Sequence, residues 1–166
     1  TTFSGKYYCV DNAVASPKPV QSPHPPILIG GVKPRMLRAM ARYADAVNML
    51  GARGPGEYAQ LLEKLERYCG EEGTDFKRLR KTHFMTFVVG NDQNDLDDVL
   101  GRVSAAEGIG VGEYRARRAR AFIGTATEAV ELLKQYMALG VTQSQTVFPY
   151  REEKRSLKLW ADRILP

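Results

Sequence analysis

The fold is decided at residues 24–34, which read HPPILIGGVKP. A short apolar run, Ile27–Ile29, follows the prolines and ends at Gly30 and Gly31, and a helical pattern begins at Pro34. A continuous apolar run is typical of a strand that is buried on both faces of a parallel sheet, and proline is tolerated in the first turn of a helix. The stretch therefore predicts a buried strand, a tight turn and a helix. Turns of this kind either hold phosphate or are purely structural.

Three further strand and helix patterns follow this unit. Strands are predicted where apolar or β-branched residues cluster, at residues 44–50, 82–89 and 141–148. Helices are predicted where apolar residues recur every three or four positions, at residues 37–44, 61–69, 95–103 and 125–139. Strands that alternate with helices indicate βαβ units and a parallel sheet. Four such units form either a small doubly wound sheet or half of a (β/α)8 barrel, and periodicity alone does not choose between them.

The segments outside these units predict the domain organisation. Residues 1–25 alternate weakly and then become rich in proline, which favours an extended excursion or a loose hairpin in a surface loop. Residues 108–120 predict a long irregular connection with a short helix, and residues 150–166 predict a helical tail. A chain of 166 residues fits one domain, so we expect residues 1–166 to fold together.

Charge does not indicate a nucleic-acid partner. The formal net charge is +5, and no aromatic side chains are interleaved with the densest cationic cluster in the way that a nucleic-acid interface requires. That cluster comprises Arg115, Arg117, Arg118 and Arg120. We therefore interpret it as a solvated helix face, and a general preference for anions stays open.

Composition also bears on location and on metal binding. No run of about 18 apolar residues is present, so we expect no membrane span. Cys9 and Cys69 lie far apart, which favours a reducing cytoplasm, and His24 and His83 have no metal-type neighbours. We therefore expect no metal site. The chain begins at Thr1 without an initiator Met, which we take as a first indication of a processed or excised piece.

Three motifs together are similar to one family. They are PKPVQSPHPPILIGG (17–31), LRAMARYADAVNMLG (37–51) and FIGTATEAVELLKQYMALGVTQSQTVFP (122–149). In this order and spacing they resemble the C-terminal half of luciferase-like monooxygenases. The stretch LEKLERYCGEEGTDFKRLRKT (62–82) resembles the branch that uses a deazaflavin, coenzyme F-420, instead of FMN. The resemblance covers about residues 3–149.

The resemblance implies a fold and a site. Family members are (β/α)8 barrels, so this chain would supply strands five to eight, preceded by an insertion loop, and the coenzyme would lie at the C-terminal mouth of the barrel. The resemblance places the phosphate-bearing tail over the ends of strands five and six, where the residues are Ile29, Gly30, Gly31, Met49, Leu50 and Gly51. Glycine lets the backbone approach an oxyanion, and Lys33 adds a charge-assisted contact.

Two functions follow from this interpretation. The first is the C-terminal part of an oxidoreductase or monooxygenase that binds F-420, or alternatively FMN, together with an unknown small-molecule substrate. The second is a non-catalytic half-barrel that self-associates, or that binds only a phosphate-bearing ligand. Asp45 and Asn48 are candidate catalytic residues by type. However, we expect Asp45 to cap or pack near a helix end, so we assign no catalytic residue. Because a half-barrel leaves two unpaired sheet edges, we expect a homo-oligomer or pairing with an N-terminal half-barrel.

Overall fold

The computed structural model describes residues 1–49 and 54–165, and a parallel sheet forms its centre. The strands are β1 (Phe3–Ser4), β2 (Cys9–Val10), β3 (Leu28–Gly30), β4 (Ala46–Asn48), β5 (Arg80–Gly90), β6 (Phe122–Thr125) and β7 (Val141–Val147). The α-helices are α1 (Pro34–Tyr43), α2 (Pro55–Glu72), α3 (Gln93–Ala106), α4 (Val111–Arg117), α5 (Ala126–Ala138) and α6 (Glu153–Leu159). A 3-10 turn covers Phe76–Arg78, and a π-helix covers Trp160–Ile164 and continues α6.

The long strand β5 organises the sheet. Its first residues pair with β4, residues Lys81–Thr86 pair with β7, and residues Phe87–Gly90 pair with β6, all in parallel. Strand β3 pairs with β4, also in parallel. Among the described strands of this sheet, β3, β6 and β7 each have a single partner, so each presents an unpaired edge. The predicted parallel sheet with helical crossovers is confirmed.

Local sequence signals explain where the helices begin and end. Thr125 and Glu128 form a reciprocal capping box at the start of α5, as the spacing of a hydroxyl residue and a Glu three positions later predicts. Helix α2 ends at Gly73, which adopts the left-handed conformation with a φ of 69°. The start of α5 and the end of α2 are therefore fixed by caps as well as by apolar faces.

The main core lies between the sheet and α1, α2 and α5. Val47, Met85 and Phe87 project from the strands into this layer and contact side chains of the helices and of the π-helix. A smaller cluster packs α3 and α4 against Val88, the residue that points to the other face of β5. Both faces of the carboxyl-terminal part of β5 are thus covered, which explains the continuous apolar sequence of that part.

Two predictions from the sequence need correction. The run Ile27–Ile29 is not buried on both faces, because Ile27 and Leu28 are 41% and 42% exposed. Leu28 pairs with Ala46 and points to the sheet face opposite Val47 and the main core, where packing leaves it exposed. Ile27 precedes β3. The second correction concerns the number of strands. Four were predicted, whereas Phe122–Thr125 forms a further strand, β6, that pairs with β5 before α5 begins. Residues 1–13 form the expected loose hairpin, with β1 antiparallel to β2.

Candidate functional site

The carboxyl ends of β3 and β4 meet at one edge of the sheet. Gly30 lies opposite Asn48 in the parallel register, and the Gly31 N–H donates a 2.9 Å hydrogen bond to the Asn48 carbonyl oxygen. The structure thereby brings Ile29, Gly30 and Gly31 next to the segment that ends at Met49. The other two residues that the resemblance indicated, Leu50 and Gly51, lie outside the described residues.

The two glycines have different geometric roles. Gly31 has a φ of +144°, and a Cβ atom there would lie 3.1 Å from the Met36 side chain, so a larger residue would be strained. Gly30 is exposed, and a Cβ atom there would meet only the Asn48 carbonyl oxygen at 3.7 Å. The space above Gly30 is therefore open to a ligand, whereas the N–H of Gly31 is already used within the protein.

Two cationic residues, Lys33 and Arg35, lie at the start of α1. Lys33 is the N-cap residue without a side-chain cap, and Pro34 occupies the first turn. The N–H groups of Met36 and Leu37 both donate to the Lys33 carbonyl oxygen, which leaves the Arg35 N–H to be satisfied from outside the helix. Lys33 and Arg35 are exposed, and the first turn carries no acidic side chain. This end of α1 thus offers positive charge and suits an anion.

A polar pair lies on the sheet face opposite the main core. The Asn48 Nδ2 group donates a 3.0 Å hydrogen bond to Oε1 of Gln145, which projects from β7 across β5. Asn48 is 4% exposed, and its Oδ1 atom is buried without a hydrogen-bond partner. Because buried polar atoms are nearly always paired, this acceptor is available to a donor on a bound molecule. Sequence reasoning did not single out Gln145, although the polar alternation of the last strand was a usable signal.

Asp45 lies at the other end of β4 and has a structural role. Its Oδ2 atom accepts a 2.7 Å hydrogen bond from the Ile27 N–H and lies 3.9 Å from His24 Nδ1. The carboxylate thereby fixes the start of β3 at the amino edge of the sheet. In parallel α/β folds, ligands bind at the carboxyl edge of the sheet. Asp45 lies at the opposite edge and is therefore not part of the candidate site.

Two classes of site are absent from the part of the chain that the structure describes. Within residues 1–49 and 54–165, no group of three or more His, Cys, Asp or Glu side chains is arranged to hold a metal ion. No helix in these same ranges combines the length and the apolar character needed to cross a membrane.

A parallel sheet with helical crossovers, and with a glycine turn and an uncapped helix start at its carboxyl edge, defines an α/β protein. The chain belongs to the luciferase-like monooxygenase family, whose model matches residues 1–143.

Solved structures show the same fold. The coenzyme F-420-dependent tetrahydromethanopterin reductase from Methanopyrus kandleri superposes with a TM-score of 0.72 at 18% identity, covering 99% of this chain and 57% of the reductase. A monooxygenase from Streptomyces bottropensis superposes with a TM-score of 0.71 at 18% identity, covering 100% of this chain and 55% of that protein. The chain thus spans a little over half of the length of these neighbours.

Curated relatives are similar in sequence over a shorter stretch. A phthiodiolone/phenolphthiodiolone dimycocerosates ketoreductase from Mycobacterium kansasii is 30% identical over 97 residues, which are 58% of this chain and 26% of the ketoreductase. The corresponding protein from Mycobacterium sp. strain JLS is 33% identical over 94 residues, which are 57% of this chain and 25% of that protein. The match therefore spans about a quarter of these relatives.

Proposed function

We propose that this chain supplies strands five to eight of a (β/α)8-barrel oxidoreductase or monooxygenase and binds the phosphate-bearing tail of its coenzyme. The observation that carries the proposal is the pairing of Gly30 with Asn48 at the carboxyl edge, directly before the uncapped, cationic start of α1. In this assignment β3, β4, β5 and β7 are barrel strands five, six, seven and eight, and residues 1–25 are the insertion loop.

The residues at this edge fit an anionic tail. The open backbone at Gly30 admits close approach, the Arg35 N–H and the helix dipole favour negative charge, and Lys33 and Arg35 supply charge-assisted contacts. Met49, Leu50 and Gly51 complete the site in this proposal, together with Ile29 and Gly31. The unpartnered Asn48 Oδ1 atom accepts a hydrogen bond from the same ligand or from the substrate.

The coenzyme of the proposal is F-420, with FMN as the alternative. Two structural neighbours, the tetrahydromethanopterin reductase and a secondary alcohol dehydrogenase, depend on coenzyme F-420, which supports a deazaflavin. When bound, such a coenzyme supplies hydride transfer or oxygen chemistry. The residues of this chain bind and orient it, and the substrate is a small molecule whose identity these residues do not specify.

Ligand fluorescence tests the proposal directly. Titration of the chain with F-420 and with FMN should give saturable binding to one of them. Gly30→Asp should weaken that binding at least about tenfold, because it adds a side chain and a negative charge where the phosphate approaches. Gly112→Asp is the matched control, since Gly112 lies on α4 in open space and away from this edge. Equal binding by both variants, or none by the folded parent chain, contradicts the proposal.

A second candidate function is self-association of a non-catalytic half-barrel. Apolar side chains are exposed on the sheet face opposite the main core, where Leu28, Phe84 and Val147 are 42%, 39% and 44% exposed. Edge strands β3 and β7 flank this face and present unpaired backbone groups. A second copy, or a separate N-terminal half-barrel, would cover both features. Sedimentation of the coenzyme-free chain tests self-association, and the coenzyme titration distinguishes this candidate from the first.

A further inference from the structure

A cavity of about 640 Å³ lies between β7, α5 and the C-terminal π-helix. Its strand wall includes Ser144 and Thr146. Successive residues of a strand point to opposite faces, and Gln145 between them bonds to Asn48 on the other side of the sheet. The cavity is therefore separate from the proposed coenzyme site and does not depend on it.

The two sides of the cavity differ in chemistry. The strand side presents the hydroxyl groups of Thr142, Ser144 and Thr146, whereas the helix side presents the apolar surfaces of Leu133, Met137 and Trp160. Of the described residues that line the cavity, none is Asp, Glu, Lys or Arg. An occupant would therefore meet an apolar surface and a row of neutral hydrogen-bonding groups, without a charged partner.

His83 and Tyr136 line the cavity, and each carries a buried polar atom without a hydrogen-bond partner. The His83 and Tyr136 rings stack with centroids 3.9 Å apart, and they are 4% and 1% exposed. His83 Nδ1 lies 3.4 Å from Ser144 Oγ, whereas His83 Nε2 and the Tyr136 hydroxyl are buried without a hydrogen-bond partner. Buried polar atoms without partners cost free energy, which a hydrogen-bonding group of a bound molecule recovers.

Burial also fixes the charge state of this wall. It lowers the pKa of His83 from 6.5 to about 4, so the imidazole is neutral near pH 7. A neutral imidazole does not attract an anion, which agrees with the uncharged lining.

We propose that this cavity binds an uncharged, largely apolar small molecule that carries a hydrogen-bonding group along one edge. The apolar body packs against Leu133, Met137 and Trp160, and the polar edge faces Ser144, Thr146 and the His83 and Tyr136 wall. The volume and the combination of apolar walls with a few converging polar groups are those of small-molecule sites.

Nile red, a neutral planar dye with a carbonyl group, is the probe for the test. The dye should bind saturably to the parent chain and quench Trp160, which lines the cavity and is the only tryptophan in the sequence. Ser144→Phe should weaken binding more than about tenfold by filling the cavity. Ser144→Ala should weaken it about two- to tenfold, the effect of one hydrogen bond. Val111→Phe is the matched control, because Val111 is exposed on α4 and does not line the cavity, and it should change binding less than about twofold.

Circular dichroism establishes that each variant is folded. The absence of saturable dye binding to the folded parent chain overturns the proposal, and so does equal binding by Ser144→Phe and Val111→Phe. Sedimentation adds a further outcome. If dye binding falls as the chain self-associates, and Ser144→Phe abolishes the association, the cavity is an interface with a second copy and the small-molecule proposal is wrong.

Discussion

Acidification should destabilise this protein through His83 before it affects the carboxylates. His83 is buried against Tyr136, and desolvation lowers its pKa from 6.5 to about 4. Between these two values the unfolded chain binds a proton that the folded chain excludes. Because the unfolded state then holds more protons, the free energy of unfolding falls as the pH decreases from 6.5 towards 4.

The magnitude follows from the two pKa values. One pKa unit corresponds to about 1.4 kcal/mol, so the His83 contribution decreases by about 2.5 kcal/mol between pH 7 and pH 4.5. The slope near pH 5 is about 1.2 kcal/mol per pH unit. Carboxylates with lowered pKa values, such as Glu72 and Glu128, lose their stabilising interactions as the pH falls through those lowered values. These carboxylates therefore lower the free energy of unfolding mainly below pH 4.5. The change in that free energy between pH 7 and pH 4.5 is then due mostly to His83.

Urea unfolding followed by circular dichroism, repeated across this pH range, measures the slope. His83→Gln removes the titrating group, and its unfolding free energy should therefore lose most of the slope whatever its absolute stability. His24→Gln is the control, because it keeps His83 and changes only an exposed side chain in the proline-rich segment. A parent slope near zero, or the same slope in His83→Gln, would refute the burial argument.

Two further predictions concern packing and association. Gly90→Ala should destabilise the chain by about 3 kcal/mol or more in urea unfolding, because the new Cβ atom would lie 2.3 Å from the Leu96 backbone nitrogen. Gly101→Ala, in open space within α3, should instead be neutral or stabilising, and a loss as large as that of Gly90→Ala would contradict this reading. Val147→Lys should shift self-associated chain towards the 18.5 kDa monomer in sedimentation, whereas Val111→Lys on α4 should not. A parent chain that sediments as a monomer at micromolar concentration would end the self-association hypothesis.

The sequence by itself determined the order and type of the main elements. Apolar periodicity, the glycine turn at Gly30 and Gly31, and the capping box at Thr125 are local signals, and they predicted the parallel sheet and its helices. The three motifs indicated the family, which the match over residues 1–143 confirms. Such features are readable because they depend on residues that are close together in the chain.

Only the tertiary structure decided which residues share a face and which strand edges are uncovered. Ile27 and Leu28 form an apolar run whether or not other side chains cover them, so their exposure depends on which parts of the chain pack against each face of the sheet. Asn48 and Gln145 are 97 positions apart and meet only because β4 and β7 flank β5. The cavity beside His83 has the same origin. Each of these features arises from the packing of segments that are distant in the chain, and the periodicity of the sequence does not predict that packing.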